Sequence, residues 1–245
     1  MAPDEGRHAE LVDALASVRA QIERACAQAG RDAGSVTLIA VTKTYPATDV
    51  VALGELGVLD IGESRAQEAS AKVADTTALL SAGDRPQPMP RWHFVGRLQS
   101  RKARSVAGYA HAVHSLDRIE LVSRLADGVR RAGRVPLEVF LQLSLDDDPD
   151  RGGVGVRDLA ALADCVAEQD ELVLLGLMAI APLGAEPDAA FASLARASQG
   201  LRREHPGATA ISAGMSADLA AAVRNGSTHV RVGSALLGPR AAAVG

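Results

Sequence analysis

The sequence predicts an α/β protein built as a single (β/α)8 barrel of the TIM type, on three observations. Short apolar runs alternate with amphipathic helical stretches, and eight such runs read as strands. The length of 245 residues suits eight such units closing as one domain, taken to span residues 1–245. The strands read as near-continuous Val, Ile and Leu, as strands covered on both faces do. A doubly wound open sheet is the competing arrangement. It would carry a Gly-rich turn after its first strand, and VTKTYP has none.

The elements follow in order. A helix over 8–29 carries Leu11, Leu15, Val18, Ile22 and Cys26 on one stripe. Strands are predicted at 36–42, 58–62, 91–96, 112–116, 136–144, 171–180, 208–214 and 228–233. Helices fill the gaps at 64–74, 98–107, 117–132, 156–169, 188–204 and 216–224. Asp117, with Glu120 three residues on, reads as an N-cap, and so does Ser216 before Ala217 and Asp218. A Pro-rich loop at 81–90 and a polar, Gly-rich loop at 146–155 are placed where either could cover a site.

Composition removes several classes of function. The chain is 47% hydrophobic and 23% charged, which is globular rather than disordered. A net charge of -4 gives no electrostatic reason to expect nucleic acid or an acidic membrane as partner. No apolar run approaches a membrane span, and the first ten residues lack the basic start and apolar core of a secretion signal. Cys26 and Cys165 lie far apart in helical patterns and read as small core residues, so a cytoplasmic protein is expected. Metal-ligand spacing, a P-loop and a nucleophile elbow are all missing, so no metal is expected.

The candidate chemistry lies at strand ends. Lys43 follows the first strand directly, which places it at the barrel mouth. Burial there would disfavour the ammonium and make the amine a nucleophile toward an aldehyde. The position equally suits a lysine snorkelling to water. Only Lys43, Lys72 and Lys102 among 26 basic residues are lysines, and that scarcity tilts the reading toward function. The last two strands each end in Gly and Ser before a helix start. Their Ser212, Ser216 and Ser234 hydroxyls and backbone N–H groups, with Gly214 and Gly233 allowing close approach, suggest a phosphate cup after strands seven and eight. Ordinary Gly/Ser turn chemistry is the plainer explanation. Arg231 alternates with Val230 and Val232 and is read as pointing into the barrel, either toward a ligand ring or toward a core carboxylate such as Glu63. His93 and His114 read first as hydrogen-bonded core residues.

Together, AVTKTYP (40–46), GESRAQE (62–68), WHFVGRLQSRK (92–102), VHSLD (113–117), GLMAI (176–180), SAGMSADL (212–219) and GSTHVRVGSALLGPR (226–240) resemble the YggS/PROSC family, the pyridoxal 5'-phosphate (PLP) homeostasis proteins. The resemblance implies a fold-type III PLP barrel similar to the N-terminal domain of alanine racemase. It places Lys43 on the lysine that forms a Schiff base with PLP, and Arg231 on the arginine facing the pyridine nitrogen. Ser212, Met215, Ser216, Gly233 and Ser234 fall on or beside the phosphate segments, and Gly214, Ser64 and His93 complete the expected cofactor-binding set. Ser64 and Ser144 stand where the family commonly has Asn, and Arg151 where it usually has a lysine.

The expected function is PLP binding in vitamin B6 homeostasis without turnover, with no assigned catalytic residue. A monomer is expected, with PLP-dependent apo-enzymes as candidate recipients. A racemase-like enzyme using Lys43 with Tyr45, His93 or His114 is the alternative. A phosphosugar barrel enzyme that does not use PLP is a third reading.

Overall fold

The structure is a computed structural model that describes residues 5–83, 86–146, 148 and 151–238. Parts of the two predicted loops, the last two residues of the 226–240 motif and both ends of the predicted domain lie outside the described residues.

Eight parallel strands close in sequence order: β1 (Thr37–Val41), β2 (Asp60–Glu63), β3 (Arg91–Phe94), β4 (Ala112–Leu116), β5 (Leu137–Gln142), β6 (Leu172–Met178), β7 (Ala210–Ser212) and β8 (His229–Val232). β8 pairs with β1 over four residues, from Thr37 opposite His229 to Ala40 opposite Val232, and this pairing closes the barrel. Nine helices cover it among the described residues: α1 (Glu5–Gln28), α2 (Ala47–Glu55), α3 (Ala66–Ala82), α4 (Ala103–Ala107), α5 (Ile119–Ala132), α6 (Leu159–Ala167), α7 (Pro187–Glu204), α8 (Leu219–Arg224) and α9 (Ser234–Leu237).

The outer layer is apolar. Leu11, Leu15, Val18, Ile22 and Cys26 of α1 are all buried, in one cluster with the outward-facing Ala40, Val230 and Val232. α9 is only four residues long, and α1 packs beside it and α8 to cover the closing strands. Each fully buried Leu, Ile or Phe in this layer contributes about 1.5–3 kcal/mol.

Three local expectations change. α2 was not predicted, because its buried face is short and mixed, made of Asp49, Val50, Ala52 and Leu53. Asp117 does not cap α5; Arg118 holds the N-cap position and Asp117 pairs with the Arg118 guanidinium instead. Ser216 does not cap α8 either. Asp218 is the N-cap residue, and its carboxylate accepts the Met215 N–H at 2.6 Å, which closes the turn ahead of the helix.

Register partners point to the same side of a sheet, so the pairs Ile39–Arg231, Gly62–His93 and Ser212–His229 set an inward face. Most barrels of this kind fill that space with branched aliphatic residues. Here it also holds Asp60, His93, His114, Ser212 and Arg231, all buried.

Candidate functional site

Lys43 sits in a tight turn at the end of β1, where the Tyr45 N–H donates to the Thr42 carbonyl at 3.0 Å. Thr44, at the third position of that turn, has φ 71°; it is the single non-glycine residue with positive φ among those described. A turn of this kind normally takes Gly there, and a β-branched residue in that region costs about 1–3 kcal/mol. Strain of this size persists only where the surroundings dictate the backbone.

Beneath the turn lies a compact ionic cluster. Lys72 of α3 donates to the Thr42 carbonyl at 2.6 Å and also to Glu63 Oε1, and the Thr42 hydroxyl donates to the same Oε1 at 2.7 Å. Lys72 and Glu63 are 8% and 1% exposed, so this pair is cut off from water. Glu63 therefore serves Lys72 and is not the partner of Arg231. The other Glu63 oxygen and the Tyr109 hydroxyl are buried with no hydrogen-bond partner among the described residues. Burial and the Glu63 charge push the Tyr109 phenol up.

At the C-terminal end of the strands opens a cavity of about 380 Å3. Lys43, Ser64, Met215, Ser216, Arg231, Gly233 and Ser234 line it, and these are seven of the ten residues expected at the site. Tyr45, named from the sequence as a partner for Lys43 in the racemase-like alternative, lines it too; Val41, Val95, Ile180 and Ala217 also line it and were not anticipated, since small and apolar residues carry no mark of a cavity wall. Tyr45 donates its hydroxyl to the Gly238 carbonyl at 2.7 Å. Ser64 owes its place to Gly96, where a Cβ would stand 2.1 Å from the Ser64 carbonyl oxygen.

The other three expected residues lie elsewhere. Gly214 has φ 93°, and a Cβ there would meet Ala222 Cβ at 2.6 Å, so its missing side chain serves strand-to-helix packing rather than ligand approach. Ser212 is fully buried in the barrel interior, where its hydroxyl accepts from Arg231 Nη1 at 2.7 Å. His93 is 3% exposed and hydrogen-bonds inside the barrel, as does His114. The inward alternation of β3, β4 and β7 draws all three toward the axis.

Arg231 thus enters the cavity from the core. Its Nη2 donates to the Ala179 carbonyl at 3.1 Å, and burial pulls its pKa down to about 10, leaving the guanidinium charged at neutral pH. The cavity brings together an amine, a guanidinium, three serines and the start of α9, whose first N–H groups have no partner within the helix. Such a donor set suits a ligand with an electrophilic carbon, an anionic group and a ring acceptor.

A model of the family described as alanine racemase, N-terminal domain, matches residues 14–241. A relative from Mycobacterium leprae named pyridoxal phosphate homeostasis protein is 46% identical over 241 residues, covering 95% of this chain and 94% of its own. The chain belongs to the pyridoxal phosphate homeostasis protein family. Within the known structures, PipY of Synechococcus elongatus, determined with PLP bound, is 34% identical, with a TM-score of 0.79 over 93% of this chain and 99% of that one. Alanine racemase from Corynebacterium glutamicum shares the fold, with a TM-score of 0.63 at 14% identity, and this chain spans 60% of it. None of the helices among the described residues is long and apolar enough to cross a membrane.

Proposed function

We propose that this chain is one PLP-binding barrel domain that holds PLP through a Schiff base on Lys43 and serves vitamin B6 homeostasis. The observation that carries the reading is the single cavity lined by Lys43, Arg231, Ser216, Gly233 and Ser234. When bound, PLP supplies an aldehyde that condenses with amines and a ring that can withdraw electrons. The strained Thr42–Tyr45 turn presents the Lys43 amine at the cavity wall. Ser216, Ser234 and the backbone after Gly233 offer donors for the phosphate. Arg231 would hold its cation toward the ring nitrogen of bound PLP. A cation there would disfavour protonation of that nitrogen and weaken the ring as an electron sink, which suits holding more than turnover. PLP bound to PipY and the names of the relatives support the same reading.

The racemase-like alternative needs a second acid or base beside Lys43. His93 and His114 are inside the barrel, and Tyr45 donates to Gly238. The homeostasis reading extends to PLP-dependent apo-enzymes as recipients, to a cytoplasmic setting and to a monomer. Titrating the purified full chain with PLP while recording visible absorbance tests the binding. The expected result is a saturable absorbing species that Lys43→Ala removes. A species that survives Lys43→Ala unchanged would defeat the assignment of Lys43.

A further inference from the structure

A continuous hydrogen-bonded chain crosses the barrel from its N-terminal end to the Lys43 cavity. Asp60, at the start of β2, accepts from Arg91 Nε at 2.7 Å and contacts His93 Nε2 at 2.9 Å. His93 Nδ1 lies 2.9 Å from His114 Nε2, and His114 Nδ1 lies 2.9 Å from Ser212 Oγ. Ser212 Oγ then accepts from Arg231 Nη1. His114 is stacked on Phe140, with ring centroids 4.3 Å apart and planes 17° apart, so its ring is held in one orientation. The intermediate members are 0–3% exposed, and water does not reach these links.

The protons on this chain follow from its ends. Burial works to raise the Asp60 carboxyl, but hydrogen bonds from His93 and Arg91 outweigh it and hold the carboxylate ionised. An ionised acceptor requires a proton on His93 Nε2. Burial, with the Arg231 charge adding repulsion, draws His114 well below the usual imidazole range, so its ring is neutral and carries one proton. With that proton on Nε2, His114 donates to His93 Nδ1, and His114 Nδ1 accepts the Ser212 hydroxyl. Every donor then meets one acceptor, from the guanidinium to the carboxylate. The opposite polarity would need a doubly protonated His93 in the same core as Arg231. It would also make Ser212 accept from His114 and Arg231 at once.

We propose that Asp60, His93, His114 and Ser212 are positioning residues for Arg231: a one-way hydrogen-bond chain, anchored at the far end of the barrel, that fixes the guanidinium facing the Lys43 cavity. The assignment to a cofactor-facing arginine rests on the PLP reading, whereas the chain itself does not. Its function is directional. Ser212 turns its hydrogen toward His114 and its lone pairs toward Arg231, so the guanidinium keeps one orientation when the cavity fills or empties.

Two measurements on the full chain test this. In the protein without PLP, nitrogen-15 NMR of histidine and arginine side chains should show His114 protonated at Nε2 alone and Arg231 guanidinium protons individually resolved. Ser212→Ala and His114→Phe should average those guanidinium signals through faster rotation. A His114 ring protonated at Nδ1, or Arg231 signals unchanged in both variants, would overturn the proposal. In the PLP-loaded protein, both variants should shift the visible absorption maximum and weaken PLP binding about tenfold, the worth of one hydrogen bond to a charged group. Spectra and affinities equal to the parent's in variants that melt cooperatively would overturn it. Ser212→Ala is the milder change and covers the case in which His114→Phe fails to fold. Failure of the parent to bind PLP would count against the function proposed above, and the NMR arm would still decide the chain.

Discussion

The barrel interior and the space beneath α3 both bury polar groups beside the same cavity, yet they do so differently. Under α3, Lys72 and Glu63 form one compact ion pair that shares its donors with the turn carrying Lys43. In the interior, the charges of Asp60 and Arg231 stand at the two ends, linked by two imidazoles and a hydroxyl. A compact buried pair concentrates its energy, because removing one partner strands the other charge in a low dielectric. A chain of neutral links spreads the cost, and a break beside either charged end leaves that charge its other partner, Arg91 for Asp60 and the Ala179 carbonyl for Arg231. The first holds the backbone at the Lys43 turn, and the second holds a side chain that lines the cavity.

This contrast ranks the expected effects. Lys72→Met should cost the most, about 3–5 kcal/mol, because Glu63 is left buried and unpaired. Urea unfolding measures it, and combining the change with Glu63→Gln should recover much of the loss. A loss below about 1 kcal/mol would mean that the pair is not isolated from water. Lys72→Met should also loosen the turn and weaken PLP binding.

Acid should strain the barrel interior. Burial pulls His229, inside the barrel at the start of β8, from the ordinary 6.5 down to about 4. Between those values the unfolded chain holds a proton that the folded chain lacks, so stability falls as pH drops from about 6.5 to about 4. The full effect is about 3 kcal/mol, and His114 acts in the same direction. Asp60, whose carboxyl is held low, withdraws its own contribution only further down, below about pH 4. Unfolding midpoints at pH 7 and pH 4.5 check this, with His229→Gln expected to flatten the slope. Removing one member of the chain, as in His93→Phe, which breaks its hydrogen bonds to Asp60 and His114, should cost about 1–3 kcal/mol at neutral pH, less than the Lys72 change.

The smallest effect is expected at Arg65. It is adjacent in sequence to Ser64 in the cavity wall and pairs with Glu68, but its side chain is 68% exposed. Arg65→Ala should leave the urea midpoint and PLP binding unchanged within error, because an exposed pair is screened. A marked loss of binding would extend the site across this surface.

The sequence made the eight strands legible because their apolar runs are separated by polar turns, and Lys43, Ser216 and Ser234 are legible because strand ends in a barrel face one mouth. Arg231 was correctly aimed inward from its alternation with Val230 and Val232. Its partner was not, since a carboxylate is the obvious mate for a buried arginine and the structure supplies a serine hydroxyl and a carbonyl. Ser212 shares the Gly/Ser signature of the phosphate segments, but strand parity turns it to the axis. Lys72 is the instructive omission. The scarcity of lysine that singled out Lys43 applied to it as well, and its place on the buried face of α3 needed the fold to become visible.

PLP held on Lys43 in this cavity can be fixed there chemically. The most direct measurement is borohydride reduction of the PLP-loaded protein followed by peptide mapping of the fixed label. A single label on Lys43 is expected, lost in Lys43→Ala. A colourless protein, or a label on Lys72 or Lys102, would contradict it.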